Sequence, residues 1–129
     1  MRFTLFAAIL LSCTVCGGSL AAPRIPPPNP DALTAVAYAL PDKDWDAFIT
    51  ALKNADPELA KGQHRQDRAF QRAIRTCRAI KKNPRLRGAE LAVHISHRFT
   101  SPHGDVSVIE GNRLAAVLTK AICPHIAAG

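Results

Sequence analysis

The sequence predicts an all-α fold: a small bundle of about four helices with one disulfide, preceded by a signal peptide and a Pro-rich linker. Three observations carry this expectation. Apolar residues recur at three- and four-residue spacing in separate stretches, and no stretch shows the period of two that marks a half-buried strand. The 129-residue chain opens with a leader-like segment, which places the remainder of the chain in an oxidising compartment where thiols pair. With that leader removed, two of the four cysteines remain, Cys77 and Cys123, and two thiols make one intramolecular bridge.

Residues 1–22 read as the signal peptide. Met1 and Arg2 form a short charged start, residues 3–11 are apolar apart from Thr4, and Ser19-Leu20-Ala21 supplies small residues for cleavage. A lipid anchor at Cys13 is the alternative, since Leu10-Leu11-Ser12-Cys13 loosely resembles a lipobox. Residues 23–41 form the linker. Five of residues 22–30 are proline, which enforces an extended backbone poor in hydrogen bonds. Residues 31–40 read as a short helix that begins at Asp31 and ends before Pro41. No later apolar stretch is long enough to cross a bilayer.

Residues 42–126 carry the helical domain. Asp42, Asp44 and Asp46 crowd the opening turn of its first helix, where carboxylates favour the positive end of the helix dipole. Trp45, Phe48, Ile49 and Leu52 follow as a one-sided stripe. Asn54-Ala55-Asp56-Pro57 stops that helix, and Asp56-Pro57 caps a new turn. Gly62 interrupts the chain before a second helix over residues 67–82. Phe70, Ala73, Ile74, Cys77 and Ile80 share its inner face, and Asn83-Pro84 ends it. A third helix over residues 88–99 turns Leu91, Ala92, Ile95 and Phe99 inward. After the Ser101-Pro102-His103-Gly104 turn, Ser107 and Glu110 have the spacing of a capping box. They start a fourth helix with Ile109, Leu114, Val117, Leu118, Ala121 and Ile122 on its apolar side. Gly111 weakens its first turn, and Pro124 closes it beside Cys123.

Three of these segments together resemble a family of small secreted proteins of mycobacteria and related actinobacteria, catalogued as a domain of unknown function. They are the opening helix Trp45-Asp46-Ala47-Phe48-Ile49-Thr50-Ala51-Leu52, the single-cysteine helix Ala73-Ile74-Arg75-Thr76-Cys77, and the ending Lys120-Ala121-Ile122-Cys123-Pro124. The resemblance covers about residues 42–125. It implies a stapled helical fold and an actinobacterial, extracytoplasmic setting, and it implies no activity. The chain departs from the family pattern in carrying arginines around its first cysteine, where members are Gly-rich and near neutral.

Charge supplies the strongest functional clue. The net charge is +7, yet residues 61–87 hold ten basic residues against one acid, Asp67. The rest of the mature chain is acidic, so the molecule is electrically lopsided. Arg65, Arg68, Arg72, Arg75 and Lys82 occupy the outer face of the second helix, a set suited to phosphates or carboxylates. The expected partners are an anionic cell-envelope polymer, a lipid head group or an acidic protein. Nucleic acid is less favoured, because no aromatic side chain is interleaved with these bases for stacking. The competing explanation is an ordinary solvated helix face.

Five histidines raise a second class of function, metal or haem binding. His94 and His97 stand at i and i+3 on the third helix, with His103 and His125 as remote supplements. The expectation is nonetheless that no cofactor is held. There is no phosphate loop, nucleophile elbow or His-Glu-x-x-His motif, so the chain reads as a non-enzymatic binding module.

Overall fold

The computed structural model describes residues 32–126; the signal peptide, the Cys13 alternative and the proline-rich stretch lie outside the described residues. Five α-helices follow one another: α1 (Ala32–Ala39), α2 (Asp42–Ala55), α3 (Gln63–Lys82), α4 (Gly88–Phe99) and α5 (Val108–Val117). A 3-10 turn, Pro57–Ala60, joins α2 to α3. Beyond α5 the chain continues through a π turn, Leu118–Ile122, into a 3-10 turn, Cys123–His125. Among the described residues there is no strand, only an isolated bridge between Ser101 and Gly104. The all-α, disulfide-stapled architecture is the one the sequence predicts.

The short helix expected over residues 31–40 forms as α1, and Ala37 and Leu40 enter the core. In α2 the four stripe residues Trp45, Phe48, Ile49 and Leu52 are all buried. Trp45 and Phe48 meet Phe70 of α3 at ring-centroid distances of 5.5 and 6.0 Å in tilted and edge-on geometry. That arrangement sets the positive edge of one ring against the negative face of another. At the end of α2 the backbone of Asp56 is extended, and its carboxylate accepts the Glu58 N–H at 3.0 Å. This begins the 3-10 turn, with Pro57 at its first position.

The helix predicted over 67–82 begins earlier, at Gln63. Gly62, at φ 84°, breaks the chain immediately before it. The extra turn is polar and offers no apolar periodicity to read. It is held instead by side chains: Gln63 donates to Asp67 at 2.8 Å and Gln66 donates to the Ala60 carbonyl at 3.0 Å. Thr76, fully buried on the same helix, is satisfied by donating to the Arg72 carbonyl at 2.8 Å.

At the start of α5, Ser107 Oγ accepts the Glu110 N–H at 3.1 Å, as the capping-box spacing predicts. The Glu110 carboxylate takes Arg113 at 2.8 Å. Replacing Ser107 by Ala leaves that N–H without its cap and should lower unfolding stability by about 1 kcal/mol, read as a lower urea midpoint at unchanged m-value. An unchanged midpoint would show that the cap contributes nothing. Ile109, expected on the apolar side of this helix, is 69% exposed. At 3.6 residues per turn it lies about 140° around the axis from buried Leu114. Gly111 is the residue that packs there, against α4.

The bridge joins Cys77 and Cys123, whose Cα atoms are 5.1 Å apart. On an uninterrupted α-helix Cys123 would point about 180° away from Leu114. The chain does not continue as a regular helix to that point but passes through a π turn. Here the Cys123 N–H bonds to the Leu118 carbonyl, five residues back, which widens the turn and delays the rotation. Cys123 then meets α3 while Leu118, Ala121 and Ile122 stay buried. Two further ties hold this end of the chain. Lys81 Nζ donates to the Ile126 carbonyl, and His125 Nε2 lies 2.9 Å from Asp44 Oδ2 in the first turn of α2.

Candidate anion-binding site

The turns after α2 and after α4 give the basic face of α3 its walls. Arg65, Arg68 and Arg72 fall at i, i+3 and i+7 along α3, which aligns them on one side. Phe70, Ala73, Ile74 and Cys77 are buried in the bundle. The 3-10 turn after α2 brings Leu59 beside the arginines, and the turn after α4 brings Ser101 and His103. With His64 from the first turn of α3 they enclose a pocket of about 240 Å³.

The far wall is held firmly. Ser101 and Gly104 exchange backbone hydrogen bonds of 2.9 and 3.2 Å. Thr100 Oγ1 accepts the Val106 N–H at 3.0 Å, and Ser96 Oγ donates to the Val106 carbonyl at 2.6 Å. Asp56 reaches across to accept the Asp105 N–H at 3.1 Å. Gly104 lies so near this carboxylate that a Cβ would stand 2.6 Å from Asp56 Oδ2. The residue that ends α2 thus also fixes the turn that carries His103.

The arginines are not equivalent. Arg65 Nη1 donates to the carboxylate and the carbonyl of Glu58, each at 3.0 Å. Lys61 Nζ lies 3.6 Å from the other Glu58 oxygen, so this end of the site is compensated. Arg72 Nη1 donates at 3.4 Å to the carbonyl of Phe99, the last residue of α4, where the helix dipole is negative. Its pKa is lowered from the ordinary arginine value, first by burial and then by the charges of Arg68 and Arg75. Among the described residues no carboxylate forms an ion pair with Arg68, Arg72 or Arg75. Asp67, the one acid of α3, accepts from Gln63. Like charges at i, i+4 repel by a few tenths of a kcal/mol per pair even when solvated, and an anion placed among them removes that repulsion.

The five basic residues singled out in the sequence therefore divide. Arg65, Arg68 and Arg72 line the pocket. Arg75 lines a neighbouring depression of about 230 Å³ with Arg68, Gln71 and Arg72. Lys82, the last residue of α3, lies about 15 Å farther along the axis than Arg72 and is outside both. His64 and His103 belong to the site although the sequence pattern does not assign them to it. His64 had a visible signal, because His64, Arg68 and Arg72 stand at successive four-residue steps. His103 had none, since its place depends on a loop folding back across the bundle.

The metal candidates are arranged differently. His97 is exposed, while His94 is half-buried with its Nε2 accepting from Arg98 Nε at 3.2 Å. Burial, then Arg98, then His97 pull the His94 pKa below the ordinary imidazole value. His103 faces the arginine pocket and His125 faces Asp44. Among the described residues no group of three or more His, Cys, Asp or Glu is placed to hold a metal ion. Nor is any described helix long and apolar enough to cross a membrane. Comparison with family models, with curated proteins and with solved structures finds no match to this chain.

Proposed function

We propose that this chain is an exported, non-enzymatic binding module that docks an anionic partner of the cell envelope through the arginine face of α3. The observation that carries this reading is the convergence of Arg65, Arg68 and Arg72 with His64 and His103 on one pocket, with no carboxylate paired to Arg68 or Arg72 among the described residues. Evenly solvated helix faces usually interleave both signs of charge; this one does not. Export is supported by the leader-like residues 1–22 and by the disulfide. The candidate partners are an acidic polymer, a lipid head group or an acidic protein. Stacking on nucleic-acid bases has less support, because Trp45, Phe48, Phe70 and Phe99 are all buried in the core. Metal or haem at His94 and His97 has less support, since Arg98 already donates to the free nitrogen of His94 and a fixed cation repels a metal ion.

The test is retention on heparin and on vesicles of anionic lipid. Retention should fall steeply with salt, as screening and counterion release require. The triple variant Arg68→Glu, Arg72→Glu, Arg75→Glu should reduce retention at low salt by at least roughly a hundredfold while keeping the helical circular dichroism of the parent. Retention that ignores both salt and the three substitutions would remove the basis for this reading.

A further inference from the structure

We propose that the pocket between α3 and the 101–104 turn takes the doubly charged terminal phosphoryl group of a phosphate monoester, in preference to a diester or a carboxylate. This deepens the anionic-partner reading and rests on it.

Charge is the first argument. Glu58 occupies Arg65, so the uncompensated charge on the pocket wall is that of Arg68 and Arg72. A phosphate monoester carries close to two negative charges at neutral pH. A diester, a sulfate ester or a carboxylate carries one and leaves an arginine unmatched.

Geometry is the second. Arg68 and Arg72 approach from the helix side, and Ser101 and His103 approach from the opposite turn. Ser101 Oγ already accepts the His103 N–H at 3.2 Å, so its hydroxyl proton is left to donate into the pocket. Donors on two walls suit a terminal group with three free oxygens. A diester offers two, and its two substituents must leave the pocket in different directions.

Size is the third. The pocket volume is about 240 Å³. It lies below the range of about 300–1,000 Å³ typical of pockets that enclose whole drug-sized ligands. The pocket therefore holds one phosphoryl terminus and the first atoms of its substituent, and the remainder of the molecule stays outside. Such a terminus occurs on a soluble ester or on a phosphatidic-acid head group.

The experiment uses the full mature chain at fixed ionic strength. Glycerol phosphate and dimethyl phosphate are titrated in free solution. In parallel, vesicles containing phosphatidic acid or phosphatidylglycerol are compared at matched surface charge. The monoester should bind roughly tenfold more tightly than the diester in at least one arm, the order expected for one added charge-assisted hydrogen-bond pair. Preference in free solution identifies a soluble ester as the source, and preference on vesicles alone identifies a lipid head group. The double variant Arg68→Lys, Arg72→Lys keeps the charge and loses the forked donors. It should reduce the monoester preference to the part that charge matching alone supplies, while keeping salt-dependent heparin retention. Arg68→Lys alone, at an exposed position, supplies a second variant that leaves the Arg72–Phe99 contact in place and should weaken the preference. Equal binding of monoester and diester in both arms, with heparin retention intact, overturns the pocket assignment and leaves the wider reading standing. Loss of heparin and vesicle binding together in the unaltered protein overturns both.

Discussion

Breaking the Cys77–Cys123 bridge should lower the unfolding free energy by about 4 kcal/mol, the chain-entropy value for a closed loop of this length. For a domain of this size that corresponds to a fall in Tm on the order of 20 °C. It is a large share of the roughly 5–15 kcal/mol by which domains of this kind are stable. The appropriate variant is Cys77→Ala with Cys123→Ala, because Cys77 is fully buried and a serine hydroxyl there would need a partner. The effect should reach beyond the loop entropy. Leu118 and Ile122 are buried by the segment the bridge anchors, and the Lys81–Ile126 and Asp44–His125 ties act on the same few residues. Thermal unfolding of the double variant, and of the parent with and without reductant, measures the loss. A shift of only a few degrees would mean that packing alone holds the C-terminal turn to α3.

Gly111→Ala should destabilise the protein by roughly 2–3 kcal/mol, the usual scale for overpacking a close contact. The sign is the informative part. Helix propensity favours alanine over glycine by about 1 kcal/mol in a helix interior, so local reasoning predicts a gain. Tertiary geometry reverses it. A Cβ at Gly111 would lie 2.4 Å from the Ala92 carbonyl and 3.2 Å from the Ser96 N, both backbone atoms that cannot swing aside. To admit a methyl group, α5 must move away from α4, and that shift reaches Leu91, Ala92, Ile95 and Leu114 in the core. Chemical denaturation compares the two proteins directly. An alanine variant as stable as the parent would show that the α4–α5 contact yields freely.

Both expectations bear on the anion pocket. Its far wall hangs from the end of α4, where Arg72 meets the Phe99 carbonyl and Thr100 and Ser96 hold Val106. A shift of α4 relative to α5 should therefore disturb the position of Ser101 and His103. The arginines themselves stand on α3, next to the buried face that the disulfide clamps. Both sides of the site are tied to the bundle by contacts outside the pocket itself.

Much of the architecture was legible along the chain because its causes are local. The stripe of Trp45, Phe48, Ile49 and Leu52, the Asp56-Pro57 turn, the Ser107 cap and the stop at Asn83-Pro84 each act within a few residues of themselves. The basic face was legible for the same reason, since Arg65, Arg68 and Arg72 share a side through helical spacing alone. The first turn of α3 was not legible because polar side-chain bonds hold it, and such bonds leave no periodic trace.

What the residues by themselves determined is where the helices lie to within about a turn, the apolar faces of α2, α3 and α4, and which two sulfurs pair. Those outcomes follow from short-range sterics, capping and the burial of periodic apolar groups. The tertiary structure alone decided that the arginine face is a pocket. Leu59, Ser101 and His103 are distant from α3 in the chain or meet it across a turn, and they arrive there because Asp56 and Gly104 pack two loops together. It also decided that the turn leading to Cys123 widens into a π turn, with the Cys123 N–H on the Leu118 carbonyl, where the sequence predicts regular helix. Contacts between segments far apart in the chain are set by how helices fit against one another, and that fit has no period to be read.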